Sequence, residues 1–329
     1  CTPRSIDIAG SFGERLSTLV FSLYWQAEGI NTVLFDAREM MRTDSNFTSA
    51  KINFPELQRL ADEKLTPLLT PGAIIITQGF IGSDKRGITT TLGRGGSDLS
   101  AALIGAAIAA DEILIYTDVS GIASADPRII PNARSIPEMS FAEARELSFY
   151  GAKVLHPETI LPAVERDIPV RVLNTFAPDD AGTIIVAKAS REHGICAVTL
   201  KKKCISISAT GLNSKQSVDF FRNVNELSNE LYAAALGESK CFAVIDAPSD
   251  TSALDRLYQQ IPHIDIQDTT LLCGVGIGLH GELVAHFSKA VSSFKPLAVL
   301  FGVSEVGLIA LLPPELAEGA LRAVHEIIS

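Results

Sequence analysis

Residues 90–122 read TTLGRGGSDLSAALIGAAIAADEILIYTDVSGI, and this stretch decides the fold. It combines a glycine-rich turn, an alanine-rich segment of helical length (97–110) and an apolar run typical of a buried strand (112–117). A second apolar run, GAIIIT at 72–77, precedes the turn. Strand, helix and strand in this order and at these lengths predict a parallel sheet with right-handed crossovers.

The glycine-rich turn also predicts an anion site. Glycines at 93, 95 and 96 let the backbone approach an oxyanion without a Cβ in the way. The helix that follows points its first amides and the positive end of its dipole at the same place. Arg94 adds a guanidinium suited to a carboxylate or a phosphate. A tight turn with a solvated arginine is the alternative that this motif alone leaves open.

Composition limits the classes of partner. The chain has 329 residues with 28 Lys and Arg against 38 Asp and Glu, a net charge of −10. This balance argues against a nucleic acid or an anionic membrane held by bulk electrostatics. No uncharged apolar run reaches the roughly 18 residues of a membrane span. The 5 cysteines show neither a disulfide framework nor a zinc-ligand spacing, so we expect no bound structural metal and a cytoplasmic location.

The length predicts two domains, since single cores rarely grow past roughly 250 to 300 residues. Residues 1–190 contain the strand and helix patterns above, and we expect their first helix, 11–28, to bury an apolar stripe of Leu16, Val20 and Leu23. From Cys196 the pattern changes to strands alternating with helices, including a predicted helix 217–231. Two βαββαβ units of about 65 residues each would fill 196–329, with antiparallel sheets that carry helices on one face.

Three further motifs follow predicted strands or turns. Thr117 and Asp118 end the strand at 112–117, Arg128 follows in ADPR, and Lys153 lies in GAKVLHP. Ligands of open parallel sheets bind outside the carboxyl ends of the strands, which favours a ligand role for Thr117 and Asp118. A helix N-cap for Asp118 and a solvated surface position for Lys153 are the competing interpretations.

Six motifs in order resemble aspartate kinases of the amino-acid kinase family: FGERLS (12–17), TQGFIG (77–82), TTLGRGGSD (90–98), TDVSGI…ADPR (117–128), GAKVLHP (151–157) and IPVRVLNTF (168–176). The tail after Cys196 resembles the tandem ACT domains of that family. The resemblance implies a three-layer α/β kinase domain with a parallel sheet in 1–190, followed by two α+β ferredoxin-like ACT domains in 196–329. It also implies ATP-dependent phosphorylation of the L-aspartate β-carboxylate to 4-phospho-L-aspartate, the first step toward lysine, threonine, methionine and diaminopimelate.

The resemblance assigns roles motif by motif. Glu14 would receive the substrate ammonium. Asp98 and Arg94 would be catalytic, Asp98 by orienting a lysine from a distant strand and Arg94 by holding the substrate carboxylate. ATP and Mg²⁺ would be the cofactors. The remaining substrate contacts would come from Phe80, Arg94, Gly95, Gly96 and Ser97, and the nucleotide contacts from Thr117, Asp118, Arg128, Lys153 and Val154.

The chain departs from the family pattern at several places. It lacks the Lys-Phe-Gly-Gly-Thr-Ser segment that opens the family's kinase domain, so we expect an N-terminally incomplete domain that is inactive as written. Ala123 stands where many members have an aromatic residue near the nucleotide base. Of the lysine-effector residues only Glu238 is retained, so an effector site for lysine or threonine rests on the architecture of the tail.

Alternatives from other classes stay open. Another kinase of the same superfamily, such as glutamate 5-kinase, is one. A non-catalytic regulatory or amino-acid-binding subunit is the other. For assembly we expect a homodimer formed through the ACT domains, because two-layer sheets with open edges commonly pair.

Overall fold

A computed structural model describes residues 2–152, 157–228, 230–238, 240–248 and 263–328, with 254, 257, 258 and 261 between them. The contacts divide the chain into two structural units. The first comprises residues 1–122, 135–148 and 153–190, and the second comprises 123–134, 149–152 and 191–329. None of the helices in the described part of the chain combines the length and apolar character that a membrane span requires.

The first unit is a mixed α/β structure. Strands β1 and β2 form a parallel pair, β3 and β4 form a hairpin, and a four-stranded sheet has the order β5-β7-β8-β6. Its elements are α1 (Pro3–Ala27), β1 (Thr32–Phe35), α2 (Phe54–Leu60), β2 (Ile74–Thr77), β3 (Ile81–Ser83), β4 (Thr89–Thr91), α3 (Gly96–Ala107), β5 (Ile113–Thr117), β6 (Glu138–Ser140), α4 (Phe141–Phe149), α5 (Pro157–Val164), β7 (Val170–Asn174) and β8 (Thr183–Val186).

Parallel pairing dominates this unit, as predicted. β1 pairs parallel with β2, β5 with β7 and β6 with β8, while β7 and β8 run antiparallel. β2 and β5, the two strands predicted to flank the glycine turn and α3, belong to different sheets in the described residues, and the unpredicted hairpin β3–β4 lies between β2 and α3 in the sequence. The small residues of α3 have a packing reason: a Cβ on Gly105 would lie 2.6 Å from the Ile113 side chain of β5.

Helix α1 overturns the prediction for its buried face. It begins at Pro3, with Thr2 as a capping-box residue, and not at Ser11. Leu16, Val20 and Leu23 are 56 to 63% exposed, and the fully buried positions are polar. The physical reason is hydrogen bonding along the other face of the helix. There Asp7 accepts from Thr91 (N–H, 3.0 Å; Oγ1, 2.8 Å), Gln78 Nε2 donates to Thr18 (2.9 Å), and Gln26 Nε2 donates to the Thr32 carbonyl (3.1 Å).

The second unit is built on one six-stranded antiparallel sheet of order β10-β11-β9-β12-β14-β13. The elements of the segment from residue 191 onward are β9 (Gly194–Thr210), α6 (Ser214–Leu227), β10 (Leu231–Leu236), β11 (Lys240–Asp246), β12 (Ile264–Ile277), α7 (Glu282–Ser292), β13 (Ala298–Leu300), β14 (Gly307–Leu312) and α8 (Ala317–His325).

The two predicted βαββαβ units share their longest strands. The second part of β9, from Cys204, pairs with β11 and with the start of β12. The first part of β9 pairs with the end of β12, which in turn pairs with β14. Each half of the sheet therefore takes strand segments from both β9 and β12, which makes one continuous sheet.

Two local expectations in this unit have different outcomes. The helix predicted for 217–231 ends at Leu227, because Ser228 is extended and Leu231 already pairs with β11 as part of β10. The sequence GVGIG at 274–278, inside a predicted strand, indicates a turn or bulge rather than a nucleotide loop, and a register shift between Val275 and Gly276 confirms a bulge. A Cβ on Gly276 would lie 1.9 Å from the Gly194 carbonyl oxygen, so the two strands can approach only at glycine.

Segment 123–134 belongs to the core of the second unit. Ala125 and Ile130 are buried in one cluster with Leu272, Phe287 and Leu321. Its backbone is fixed as well, since the Val198 N–H donates to the Ser124 carbonyl at 2.8 Å.

Candidate functional site

The glycine-rich turn has the backbone that its sequence predicts. Gly93 and Gly95 adopt φ values of 81° and 70°, in the left-handed region, and no side chain caps the start of α3. The Gly96 N–H donates to the Gly93 carbonyl at 3.1 Å, and the N–H groups of Ser97 and Asp98 are left available to a ligand. Gly96 is required for another reason: a Cβ there would lie 2.7 Å from Phe80 Cδ2.

Most of the predicted substrate residues line one cavity of about 300 Å³ beside this turn. The Glu14 and Asp98 side chains have no hydrogen-bond or ion-pair partner among the described residues. Burial raises the pKa of Asp98. Two carboxyl groups without such partners, beside the start of α3, are suited to bind a positively charged group of a ligand. The lining residues are Glu14, Phe80, Gly93, Gly95, Gly96, Ser97 and Asp98.

Arg94 lines a second cavity of about 340 Å³, which shares Phe80 and Gly93 with the first. The residue is exposed, and its guanidinium has no partner within the part of the chain that the structure describes. The structure thus places Arg94 next to the cavity of Glu14 and Asp98 rather than among its lining. Its joint action with Ser97 on one ligand remains a prediction.

Phe80 lies between the two cavities in a strained conformation. Its φ of 67° is in the left-handed region, which costs a non-glycine residue on the order of 1–3 kcal/mol. The Phe80 N–H donates to Ser100 Oγ at 2.8 Å, and the Leu92 N–H donates to the Phe80 carbonyl at 2.9 Å. Ser100 Oγ donates in turn to the Gly96 carbonyl at 2.7 Å. These bonds hold Phe80 against the start of α3.

Asp7 is a residue of this region that sequence reasoning missed. Its carboxylate is fully buried and accepts hydrogen bonds from the Thr91 N–H at 3.0 Å and from the Thr48 N–H, which lies 3.0 Å from each carboxylate oxygen. It lines the second cavity together with Arg94. The available signal was its position seven residues before Glu14, which puts both carboxylates on one face of a helix. Asp7 connects α1 to the strand that leads into the glycine turn.

The predicted nucleotide residues Thr117 and Asp118 lie at the carboxyl end of β5. Because β5 and β7 pair parallel, Asn174 at the end of β7 reaches the same edge. The Thr175 N–H donates to the Thr117 carbonyl at 2.8 Å, and Asn174 Nδ2 donates to Ser120 Oγ at 2.9 Å. Asn174 and Ser120 were not predicted for this edge, although neighbouring parallel strand ends were the signal for them.

The other predicted site residues lie elsewhere or outside the description. Arg128 is in the second unit, where it forms an ion pair with Asp126 at 2.6 Å, and its nucleotide role stays a prediction. Lys153 and Val154 lie outside the described residues. Glu238 is exposed between β10 and β11, and its effector role also stays a prediction. In the described part of the chain, no three His, Cys, Asp or Glu residues cluster in a way that could hold a metal ion.

Comparison with known proteins identifies the family. A family model described as "Amino acid kinase family" matches residues 3–174. Over 98% of its length the chain is 34% identical to the lysine-sensitive aspartokinase 3 of Escherichia coli (strain K12), of which it covers 75%. The chain belongs to the aspartokinases of the amino acid kinase family. The resemblance drawn from the six motifs is therefore confirmed.

Two crystal structures of E. coli aspartokinase III share the aspartokinase fold of this chain. The complex with lysine and aspartate (T-state) superposes with a TM-score of 0.84, and the complex with aspartate and ADP (R-state) with 0.78. Each is 32% identical, with 99% of this chain and 76% of that chain covered. The predicted fold class is confirmed by this likeness.

Proposed function

We propose that this chain carries the aspartate and nucleotide sites of a kinase that transfers the γ-phosphoryl group of ATP to the β-carboxylate of L-aspartate. The observation that carries the proposal is the cavity at the start of α3. Its Glu14 and Asp98 carboxyl groups have no partner among the described residues, and Arg94 lines the neighbouring cavity. The E. coli relative, whose structure holds aspartate and ADP, has the same fold.

The chemistry of the reaction suits such a site. A β-carboxylate has a pKa of about 4, so it is already a nucleophilic anion at neutral pH and needs no general base. The difficulty lies in holding two anions in line, since like charges about 4 Å apart repel by about 4 kcal/mol at an effective dielectric near 20. Catalysis of this type is mainly positioning and charge neutralisation.

Each part of the cavity has a role in this scheme. Glu14 accepts the substrate ammonium, while Arg94 and the free amides of Ser97 and Asp98 bind the α-carboxylate. Burial raises the pKa of the Asp98 carboxyl, and a cationic group beside it would lower that pKa. When bound with ATP, Mg²⁺ would supply charge neutralisation on the phosphates during transfer.

The substrate assignment is tested by calorimetric titration of L-aspartate and of succinate, which lacks the ammonium group. Glu14→Gln should lower the affinity for L-aspartate at least 10-fold and leave the affinity for succinate nearly unchanged, since only the ammonium contact is lost. Arg94→Ala should weaken both ligands. Arg222→Ala, an exposed arginine on α6, is the matched control and should change neither affinity. Equal L-aspartate affinity in all three variants rejects the site.

For the second unit we propose an amino-acid effector site of the kind implied by the E. coli relative, which is called lysine-sensitive. The support is the confirmed family and the retained Glu238 in the turn after β10. Separate calorimetric titrations of lysine and threonine into the chain test this proposal. If neither amino acid gives a heat of binding, the proposal is rejected.

We further propose a homodimer that pairs through this sheet. β10 and β13 are its edge strands, and within the described residues each has one paired neighbour. Open edges of this kind commonly pair. Sedimentation velocity should show a dimer at micromolar concentration, and a monomer throughout that range would reject it.

A further inference from the structure

The turn after β7, residues 174–180, carries an exposed aromatic residue. Phe176 is 83% exposed, the largest value among the large apolar side chains of the described residues. Exposing a phenyl ring costs the hydrophobic free energy that its burial would contribute. A ring left in solvent at a fixed position is therefore suited to a ligand.

The backbone of this turn is well fixed by its own hydrogen bonds. Asn174 Oδ1 accepts from the Phe176 N–H at 2.8 Å, and the Asp180 N–H donates to the Ala177 carbonyl at 3.1 Å. Phe176 is thus presented on an ordered turn at the end of a strand, which limits the entropy that a ligand contact would have to overcome.

The same turn is bound to the predicted nucleotide edge. The Thr175 N–H donates to the Thr117 carbonyl, and Ser120 Oγ receives a bond from Asn174 Nδ2 and donates to Asp180 Oδ2. These bonds connect the residues on both sides of Phe176 to the segment that contains Asp118. Phe176 therefore lies on a turn that is hydrogen-bonded to the strand end where a nucleotide is expected.

The segment that follows β5 in the sequence offers no aromatic residue to cover a base. From Thr117 to Ser140 the chain contains no Phe, Tyr or Trp, and Ala123 follows the TDVSGI motif. A nucleotide bound by its phosphates near Thr117 and Asp118 would still have an uncovered base. Phe176 is an exposed ring on the turn that is hydrogen-bonded to Thr117, whereas the exposed Tyr116 lies within β5.

We propose that Phe176 forms the stacking face for the adenine of the bound nucleotide. This inference rests on the proposed kinase function and names a residue that the motifs did not assign. A purine ring stacked on a phenyl ring gains dispersion and loses exposed apolar area on both partners. Removing the ring should therefore weaken the binding of adenine nucleotides and leave the binding of a phosphate chain without a base unchanged.

The test uses the full chain, with Mg-ADP and inorganic tripolyphosphate as separate probes in calorimetry. Phe176→Ala should weaken Mg-ADP about 10-fold, the size expected for one base stacked on one ring, and bind tripolyphosphate as before. Phe176→Tyr keeps the ring and should restore the original affinity. Tyr116→Ala removes an aromatic residue from β5 that is also exposed, at 58%, and should have no effect.

Each other outcome decides against a stated part. Equal Mg-ADP affinity in Phe176→Ala and the unaltered chain rejects the stacking role but leaves the proposed kinase function standing. A loss of Mg-ADP affinity confined to Tyr116→Ala has the same meaning. An equal loss of tripolyphosphate and Mg-ADP shows that the turn positions the phosphate site and also overturns stacking. Failure of the unaltered chain to bind either probe rejects the nucleotide site of the proposed function and the stacking role with it. Circular dichroism confirms that each variant is folded.

Discussion

Asp84 closes the turn between β3 and β4 with its side chain. The carboxylate is 1% exposed and accepts the N–H groups of Arg86 (2.9 Å) and Ile88 (3.0 Å) and the hydroxyl of Ser45 (2.9 Å). Burial by itself raises the pKa of Asp84, but these hydrogen bonds outweigh it and lower the pKa to about 2. The hairpin therefore depends on an ionised aspartate.

This charge makes the stability of the first unit sensitive to acid. The folded pKa of Asp84 is below the unfolded value of 3.8, so its contribution is present above that value and is lost as pH falls through about 2. We expect Asp84→Asn to lower the free energy of unfolding by about 1–3 kcal/mol at neutral pH, because buried bonds are lost. We also expect it to reduce the pH dependence below about pH 4.

Urea denaturation at several pH values measures both effects. Asp62→Asn, which removes an exposed carboxylate just after α2, serves as the control and should leave the midpoint unchanged. An acid slope as steep in Asp84→Asn as in the unaltered chain would show that other carboxylates carry the effect.

At the scale of elements, the contact between α3 and the segment after β2 shapes the site. Gly96 at the start of α3 lies under the ring of Phe80, and Ser100 one turn later holds the Phe80 backbone. The helix start and the strained residue are therefore one structural feature. A change in either should move the lining of both cavities.

This contact predicts opposite effects for two glycine-to-alanine changes. Alanine normally stabilises a helix by about 0.5–1 kcal/mol relative to glycine. Gly13→Ala on α1 should show that gain, because nothing lies within 4 Å of the new Cβ. Gly96→Ala should destabilise the chain and weaken L-aspartate, because its Cβ would meet Phe80 at 2.7 Å. Thermal denaturation and calorimetry measure the pair, and equal gains for both would contradict the packing argument.

At the scale of the whole molecule, the chain passes more than once between its two units. Residues 123–134 and 149–152 belong with 191–329, so the units do not correspond to a single cut near residue 190. Within the second unit, Ser124 Oγ and His325 Nε2 are 2.9 Å apart, and Tyr150 Oη donates to the Tyr232 carbonyl at 3.2 Å. These early segments complete the core of the late one.

An excised fragment 191–329 should therefore be less stable than the same residues in the full chain. The fragment lacks the buried residues Ala125 and Ile130. Burial of a large aliphatic side chain such as that of Ile130 contributes about 1.5–3 kcal/mol to stability. We expect faster amide hydrogen exchange in β12 and α8 of the fragment. Equal protection in the fragment and the full chain would show that the early segments add nothing to this core.

Local patterns along the sequence determined the elements and the candidate site. The apolar run 112–117 was predicted as a strand and forms β5 (Ile113–Thr117), and the alanine-rich segment forms α3. Glu14, Phe80 and the turn residues Gly95, Gly96 and Ser97 were predicted to bind one substrate; they line one cavity, and their binding roles stay predictions. Such features are local because side-chain periodicity, glycine backbone freedom and motif order are all written within a few residues.

Only the tertiary structure decided which partners the elements found. α1 turns its polar face inward because Asp7 and Thr18 bond to Thr91 and Gln78, which are 60 or more residues away in sequence. Segment Leu231–Leu236 is a strand because β11 pairs with it, and Phe176 adjoins Thr117 because β5 and β7 are parallel neighbours. Burial and strand pairing depend on surfaces contributed by distant parts of the chain, and no local window of sequence contains them.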